Sequence, residues 1–157
     1  MPQKKTLRQR MKDGEELVAL RGSLKTSKSE LADIWSTGRY DYIWIDGQHT
    51  PWTEHELVAY CASAEELDID VQLRIPHTRL AYLVGRFLDF GPSAVLVPEV
   101  MEEETVTDAV AYAYYGPIGR RSWGGAHRRG LEKGMDRHTY ATWWNDYVII
   151  AIQVESV

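Results

Sequence analysis

An aspartate and a histidine three residues apart, at the end of a short apolar run, are the residues of this chain best suited to acid-base chemistry. They lie in Ile45-Asp46-Gly47-Gln48-His49-Thr50-Pro51. Histidine titrates near neutral pH, and a carboxylate beside it can orient or tune it. The run leading in, Tyr42-Ile43-Trp44-Ile45, is β-branched and aromatic and reads as a buried strand. In α/β folds, ligands gather past the carboxyl ends of the strands, so Asp46 and His49 stand where chemistry is usually done. Three later apolar runs also end on a polar residue or on proline: 70–76 closes with Arg74-Ile75-Pro76, 94–99 with Pro98-Glu99, and 148–155 with Gln153-Val154-Glu155.

The elements that must position these residues follow from periodicity. Strands are predicted at 17–20, 42–46, 71–74, 94–98 and 147–154, each buried on both faces as in a parallel sheet. Helices are predicted at 3–13, 29–36, 53–67, 78–90, 102–115 and 137–146. Leu80, Leu83, Val84, Phe87 and Leu88 repeat at helical spacing, and Leu31, Ile34 and Trp35 do so over a shorter span. Thr53 with Glu56 makes a capping box, and Glu102-Glu103-Glu104 suits the positive end of a helix dipole. The alternation of strand and helix implies parallel strands joined by crossovers. Residues 116–135 break the pattern, rich in glycine and positive charge; a loop this long in a compact domain is usually functional or mobile.

Composition bounds the class. A chain of 157 residues suffices for one domain, and a net charge of −5 argues against a general nucleic-acid surface. No apolar run approaches the roughly 20 residues that cross a bilayer, so no membrane partner is expected. Cys61 is the single cysteine, which excludes an internal disulfide and a cysteine-based zinc site and points to a cytoplasmic location. It reads as a buried small residue, and Trp35 and Trp44 as core. Trp52 is positioned to wall a pocket beside His49. His55, His77, His127 and His138 have no metal-ligand spacing to one another.

Five motifs now stand in order: Ile45-Asp-Gly-Gln-His-Thr-Pro51, Arg74-Ile-Pro, Leu96-Val-Pro-Glu-Val, Tyr115-Gly-Pro-Ile-Gly-Arg-Arg121 and Gln153-Val-Glu155. In order and spacing they resemble the HpcH/HpaI aldolases, metal-dependent class II pyruvate aldolases acting on 2-keto-3-deoxy acids and related 4-hydroxy-2-oxo acids. The resemblance implies an α/β fold, a (β/α)₈ TIM barrel of the phosphoenolpyruvate/pyruvate type. It implies His49 as general base, oriented by Asp46 or Asp89, and Arg74 as the group that binds the pyruvate carboxylate and steadies the enolate. It also implies Glu155 as a metal ligand, Gln153 on the same floor, and Arg121 near the second substrate. The cofactor would be a divalent metal, Mg²⁺, Mn²⁺ or Co²⁺. The partners would be a small oxoacid (pyruvate), an aldehyde and further copies of the chain in a homo-oligomer. Where the family usually has Asp-Gly-Glu-His, this chain has Gln48.

A complete barrel takes about 250 residues. The expectation is therefore a single domain over 1–157 holding about the first five β/α units, as a fragment or as a half-barrel completed by another chain. The second acidic metal ligand would lie in the remainder. Two alternatives accompany the aldolase reading: an inactive truncated paralogue or assembly subunit with a residual oxoacid-binding surface, and an oxaloacetate decarboxylase-like enzyme. All three readings share the pyruvate enolate.

Overall fold

Five short parallel strands in sequential order carry the chain from one edge of a sheet to the other. They are β1 (Ala19–Arg21), β2 (Tyr42–Asp46), β3 (Val71–Arg74), β4 (Ala94–Val97) and β5 (Ile149–Ile152), paired β1-β2-β3-β4-β5. The structure is a computed structural model that describes residues 5–132 and 134–155. Every pairing is parallel. An order that always advances in one direction builds the wall of a barrel, whereas a doubly wound sheet reverses direction at a switch point. The expected α/β architecture is thus observed, with four complete β/α units and a fifth strand among the described residues.

The intervening helices start where the sequence supplies caps. Thr6, Ser27 and Thr53 each form a capping box with the residue three positions on, opening α1 (Leu7–Lys12), α2 (Lys28–Trp35) and α3 (Glu54–Glu66). The expected first helix is shorter than its amphipathic pattern suggested, and residues 3 and 4 of that prediction lie outside the described residues. The predicted 78–90 helix is split into a 3₁₀ segment, Thr78–Leu83, and α4 (Val84–Leu88). The imidazole of His77 caps the first part by accepting from the Arg79 amide at 3.1 Å. Beyond β4 come α5 (Glu103–Ala113) and α6 (Arg137–Tyr147), the latter capped by Asp136.

The two faces of the sheet differ, which corrects the expectation of strands buried on both sides. Ile43, Ile45, Val71, Leu73, Val95 and Val97 point one way and form the core with Leu31, Leu57, Val84 and Leu88 of the helices. The alternate residues Trp44, Gln72, Leu96, Ile149 and Ala151 are only half-buried on the other face. Side chains alternate along a strand. The face that carries Trp44 must therefore also carry Asp46, and its register partners add Arg21 and Arg74. Among the described residues β1 and β5 are both edge strands. No helix among them is long and apolar enough to cross a membrane.

Candidate active site at the carboxyl ends of the strands

The turn after β2 is shaped by its contact with β3. Gly47 donates its amide to the Arg74 carbonyl at 2.9 Å, and a Cβ at residue 47 would sit 2.4 Å from that oxygen. Only glycine fits so close an approach. Trp52 seals the turn by donating its indole N–H to the Gly47 carbonyl at 3.1 Å. It lies edge-on to Phe87.

Held this way, Asp46 becomes the hub of the site. Its Oδ1 accepts the amides of Gln48 and His49 at 3.0 and 3.2 Å and Arg74 Nε at 3.0 Å, while Oδ2 accepts Arg74 Nη2 at 2.7 Å. Both residues are buried, at 6% and 9% exposure. Burial acts to raise the Asp46 carboxyl, but the Arg74 guanidinium and the two amides outweigh it and hold the group below the usual carboxylate range. Arg74 also lies over the Trp44 ring, 5.1 Å from its centroid. Its Nε and Nη2 are engaged by Asp46, which leaves Nη1 without a hydrogen bond among the described residues.

His49 is exposed at the rim of this arrangement. The bond Asp46 makes to it is to the main-chain amide, and the ring is hydrogen-bonded to neither Asp46 nor Asp89. Asp46 therefore fixes the turn that presents His49 and does not orient the imidazole directly. At the end of β5, the Gln153 backbone bridges β4 and its following loop, donating to the Val97 carbonyl and accepting from the Val100 amide, both at 2.9 Å. Its Nε2 donates to Glu155 Oε1 at 2.6 Å, while its Oε1 is buried without a partner. An orphaned amide oxygen beside a carboxylate is the donor chemistry that Mg²⁺ or Mn²⁺ takes. These residues fit a hard divalent ion in kind. The described residues hold no group of three or more His, Cys, Asp or Glu that could hold a metal, so Glu155 and Gln153 provide only part of a coordination shell.

Two predicted site residues, Asp89 and Arg121, lie apart from the others within this chain. Asp89 sits between α4 and β4, at the amino-terminal end of the sheet, opposite His49. It pairs with Arg121 at 2.7 Å. Burial raises its carboxyl and Arg121 offsets only part of that effect. The Arg121 guanidinium is buried against Trp144 and Tyr115, 4.3 and 5.0 Å from their centroids. Within one chain, Asp89 cannot orient His49, and Arg121 does not reach the site that His49 borders. The loop that carries Arg121 is anchored as well: Arg129 donates to the Ile69 carbonyl at 2.7 Å and to Tyr147 Oη at 3.0 Å.

Two more residues, Arg21 and Trp44, belong to the site. Arg21 ends β1 with its guanidinium 5.7 Å from the Trp44 centroid and 3.8 Å from Asp46 Oδ2. Trp44, expected in the core, lies half-buried with the Arg21 and Arg74 guanidiniums both against its ring. The available signal was position: Trp44 is two residues before Asp46 on one strand and so shares its face. A cleft of about 250 Å³ opens beside them, bordered by Arg21, Lys25, Asp46, Thr50, Trp52 and Glu56. A hollow of about 390 Å³ at the other end of the sheet is a weaker candidate, because its carboxylates are already engaged, Asp41 by Arg10 and Asp70 by Tyr147.

Comparison with known proteins agrees with this geometry. The family model for HpcH/HpaI aldolase/citrate lyase matches residues 24–157. A 2-keto-3-deoxy-L-rhamnonate aldolase of Klebsiella pneumoniae subsp. pneumoniae is 32% identical over 133 residues, covering 85% of this chain and 49% of that protein. Its namesake in Escherichia coli K12 is 28% identical over 149 residues, covering 95% and 54%. The crystal structure of an HpcH/HpaI aldolase from Desulfitobacterium hafniense superposes with a TM-score of 0.81 at 25% identity, over 97% of this chain and 57% of that one. Macrophomate synthase does so at 0.72 and 29%, over 97% and 54%. The chain thus spans about half the length of the relatives it matches. With five sequential parallel strands, a polar carboxyl edge and a family match over most of its length, the chain belongs to the HpcH/HpaI aldolase/citrate lyase family.

Proposed function

We propose that the chain carries the enolate-forming part of a metal-dependent aldolase, a carbon-carbon lyase that cleaves a 4-hydroxy-2-oxo acid of the 2-keto-3-deoxy acid type to pyruvate and an aldehyde. The relatives' names support the substrate class. In cleavage the C4 hydroxyl loses a proton, the C3–C4 bond breaks toward C3, the aldehyde departs, and the enolate takes a proton at C3. His49 is the base for the hydroxyl proton and the acid that returns one to C3. Arg74 directs its free Nη1 edge at the carboxylate and keto oxygen and balances the enolate charge. Asp46 positions Arg74 and the His49 turn. Glu155 and Gln153 would hold the divalent ion, Mg²⁺, Mn²⁺ or Co²⁺, which supplies Lewis-acid polarisation of the keto group when bound. Homo-oligomeric assembly and a cytoplasmic setting belong to the same proposal.

The observation that carries this reading is the half-engaged Arg74, fixed by Asp46 at the sheet edge that also holds His49, Gln153 and Glu155. The test is exchange of pyruvate methyl protons in D₂O, followed by NMR with the purified chain and Mn²⁺ or Mg²⁺. Exchange should require both metal and His49, and vanish in His49→Ala. A second reading rests on the partial ligand set: a chain that binds an oxoacid without turning it over. A folded chain that binds pyruvate but exchanges no protons with any of the three metals would favour it.

A further inference from the structure

The charges at the mouth of the site do not balance, and the surplus lies with Arg21. Asp46 meets Arg74 through a two-point fork, so its charge is already matched. Arg21 lies 3.8 Å from the same Oδ2, beyond hydrogen-bonding range, and among the described residues its guanidinium donates no hydrogen bond. Its side chain is 71% exposed, so this long ion pair contributes little to folding. Yet its position is set. The register of β1 on β2 places Arg21 beside Trp44, whose ring it overlies, and Gly22 packs so tightly that a Cβ would meet Ile43 at 2.5 Å. Lys25 borders the same cleft but faces the charge of Glu56, whose carboxylate also accepts from the amide and hydroxyl of Thr53 at 2.8 Å each, so the unmatched charge is that of Arg21.

An arginine stacked on an indole, lining a cleft and lacking an anionic partner of its own, is equipped to receive an anion from a ligand. Arg21 on β1 and Arg74 on β3 flank β2 on the same face of the sheet, both close to Asp46 Oδ2 and the Trp44 ring, so a molecule held at its oxoacid end by Arg74 can place its far end at Arg21 by crossing β2. We propose that Arg21 is a specificity-determining residue that selects an aldehyde with an anionic group, carboxylate or phosphate, at its far end. This inference rests on the aldolase reading above and adds the class of the second substrate.

The test is an NMR titration of the full chain, with and without pyruvate and Mn²⁺, using matched probes: succinic semialdehyde against butanal, and glyceraldehyde 3-phosphate against glyceraldehyde. The Nε–H signal of Arg21 and the indole signal of Trp44 report binding. At least one anionic probe should bind about tenfold more tightly than its neutral match, the factor worth about 1.4 kcal/mol. Arg21→Gln should reduce the preference below about threefold, and Arg21→Lys should retain part of it, since charge survives and the fork does not. Preference in only one pair assigns carboxylate or phosphate. Equal binding of both members of each pair, or a preference that survives Arg21→Gln, overturns the inference. Pyruvate exchange is measured in parallel: its absence removes the aldolase reading, while the titration still decides whether Arg21 forms an anion subsite.

Discussion

Replacing Asp46 by asparagine should cost about 3 kcal/mol of folding stability and disable the site. Asparagine keeps an acceptor for the Gln48 and His49 amides but leaves the Arg74 guanidinium buried without its counter-charge. Breaking a buried pair from one side costs about 3–5 kcal/mol, and the open cleft beside Arg21 argues for the lower end. Against a total stability of roughly 5–15 kcal/mol, the change is plainly measurable. Urea unfolding followed by tryptophan fluorescence suits it, since Trp44 lies beneath Arg74. The cycle is completed by Arg74→Met and the double variant, which should recover about 2–3 kcal/mol relative to the sum of the single changes. The Asp46 carboxyl titrates below its unfolded value, so its contribution is whole above about pH 4, the unfolded carboxylate pKa, and is lost as pH falls through the lower folded value. The gap between parent and Asp46→Asn should therefore stay constant from pH 5 to 8 and shrink in acid. Costs that add within about 0.5 kcal/mol, or a gap that does not narrow in acid, would refute the coupling.

Other outcomes follow from single contacts. Gly47→Ala should destabilise by about 2 kcal/mol or more, because its Cβ meets the Arg74 carbonyl, and pyruvate exchange should fall with it; a variant as stable as the parent would contradict the close approach. Tyr60→Phe should be neutral or stabilising by up to about 1 kcal/mol in denaturant titrations, since its buried hydroxyl has no partner and burial pushes its pKa up to about 12. Cys61 should resist a thiol-specific chromogenic reagent in the native chain and react on unfolding, because burial raises its thiol well above the ordinary range; fast native labelling would contradict this. Arg121→Met should cost about 3 kcal/mol by thermal or urea unfolding, as Asp89 loses its partner and the aromatic rings lose their cation.

The carboxyl edge was readable in the sequence because a parallel strand must hand its last residue to one common end of the sheet. Asp46, Arg74, Gln153 and Glu155 each close an apolar run, and the structure sets all four on that edge. Asp89 and Arg121 lie at the other end of this chain's own sheet, a separation the motifs did not reveal because they order residues along the chain without stating which end of the sheet they occupy. The information was nonetheless present, since a residue between a helix and the next strand lies at the amino-terminal end. The arginine-rich loop was read from its length as functional or mobile, whereas Arg121 and Arg129 are buried against aromatic rings and carbonyls that only tertiary packing assembles. The stacking of Arg21 on Trp44 was not legible, because it depends on register with β2, which pairing decides and local pattern does not.

The first helix ties the beginning of the chain to its far end. Arg8 donates to the carbonyls of Asn145 and Val148, 137 and 140 residues away, and its guanidinium lies over Tyr114. The strands, by contrast, each pair with the next in sequence, so β/α units can accrete one after another as synthesis proceeds. The docking site of α1 is thus completed only by the segment that leads into β5. Arg10 can hold α1 to Asp41 early, but the Arg8 contacts wait for residues 145–148, so the full attachment of α1 acts as a latch that registers arrival of the fifth strand.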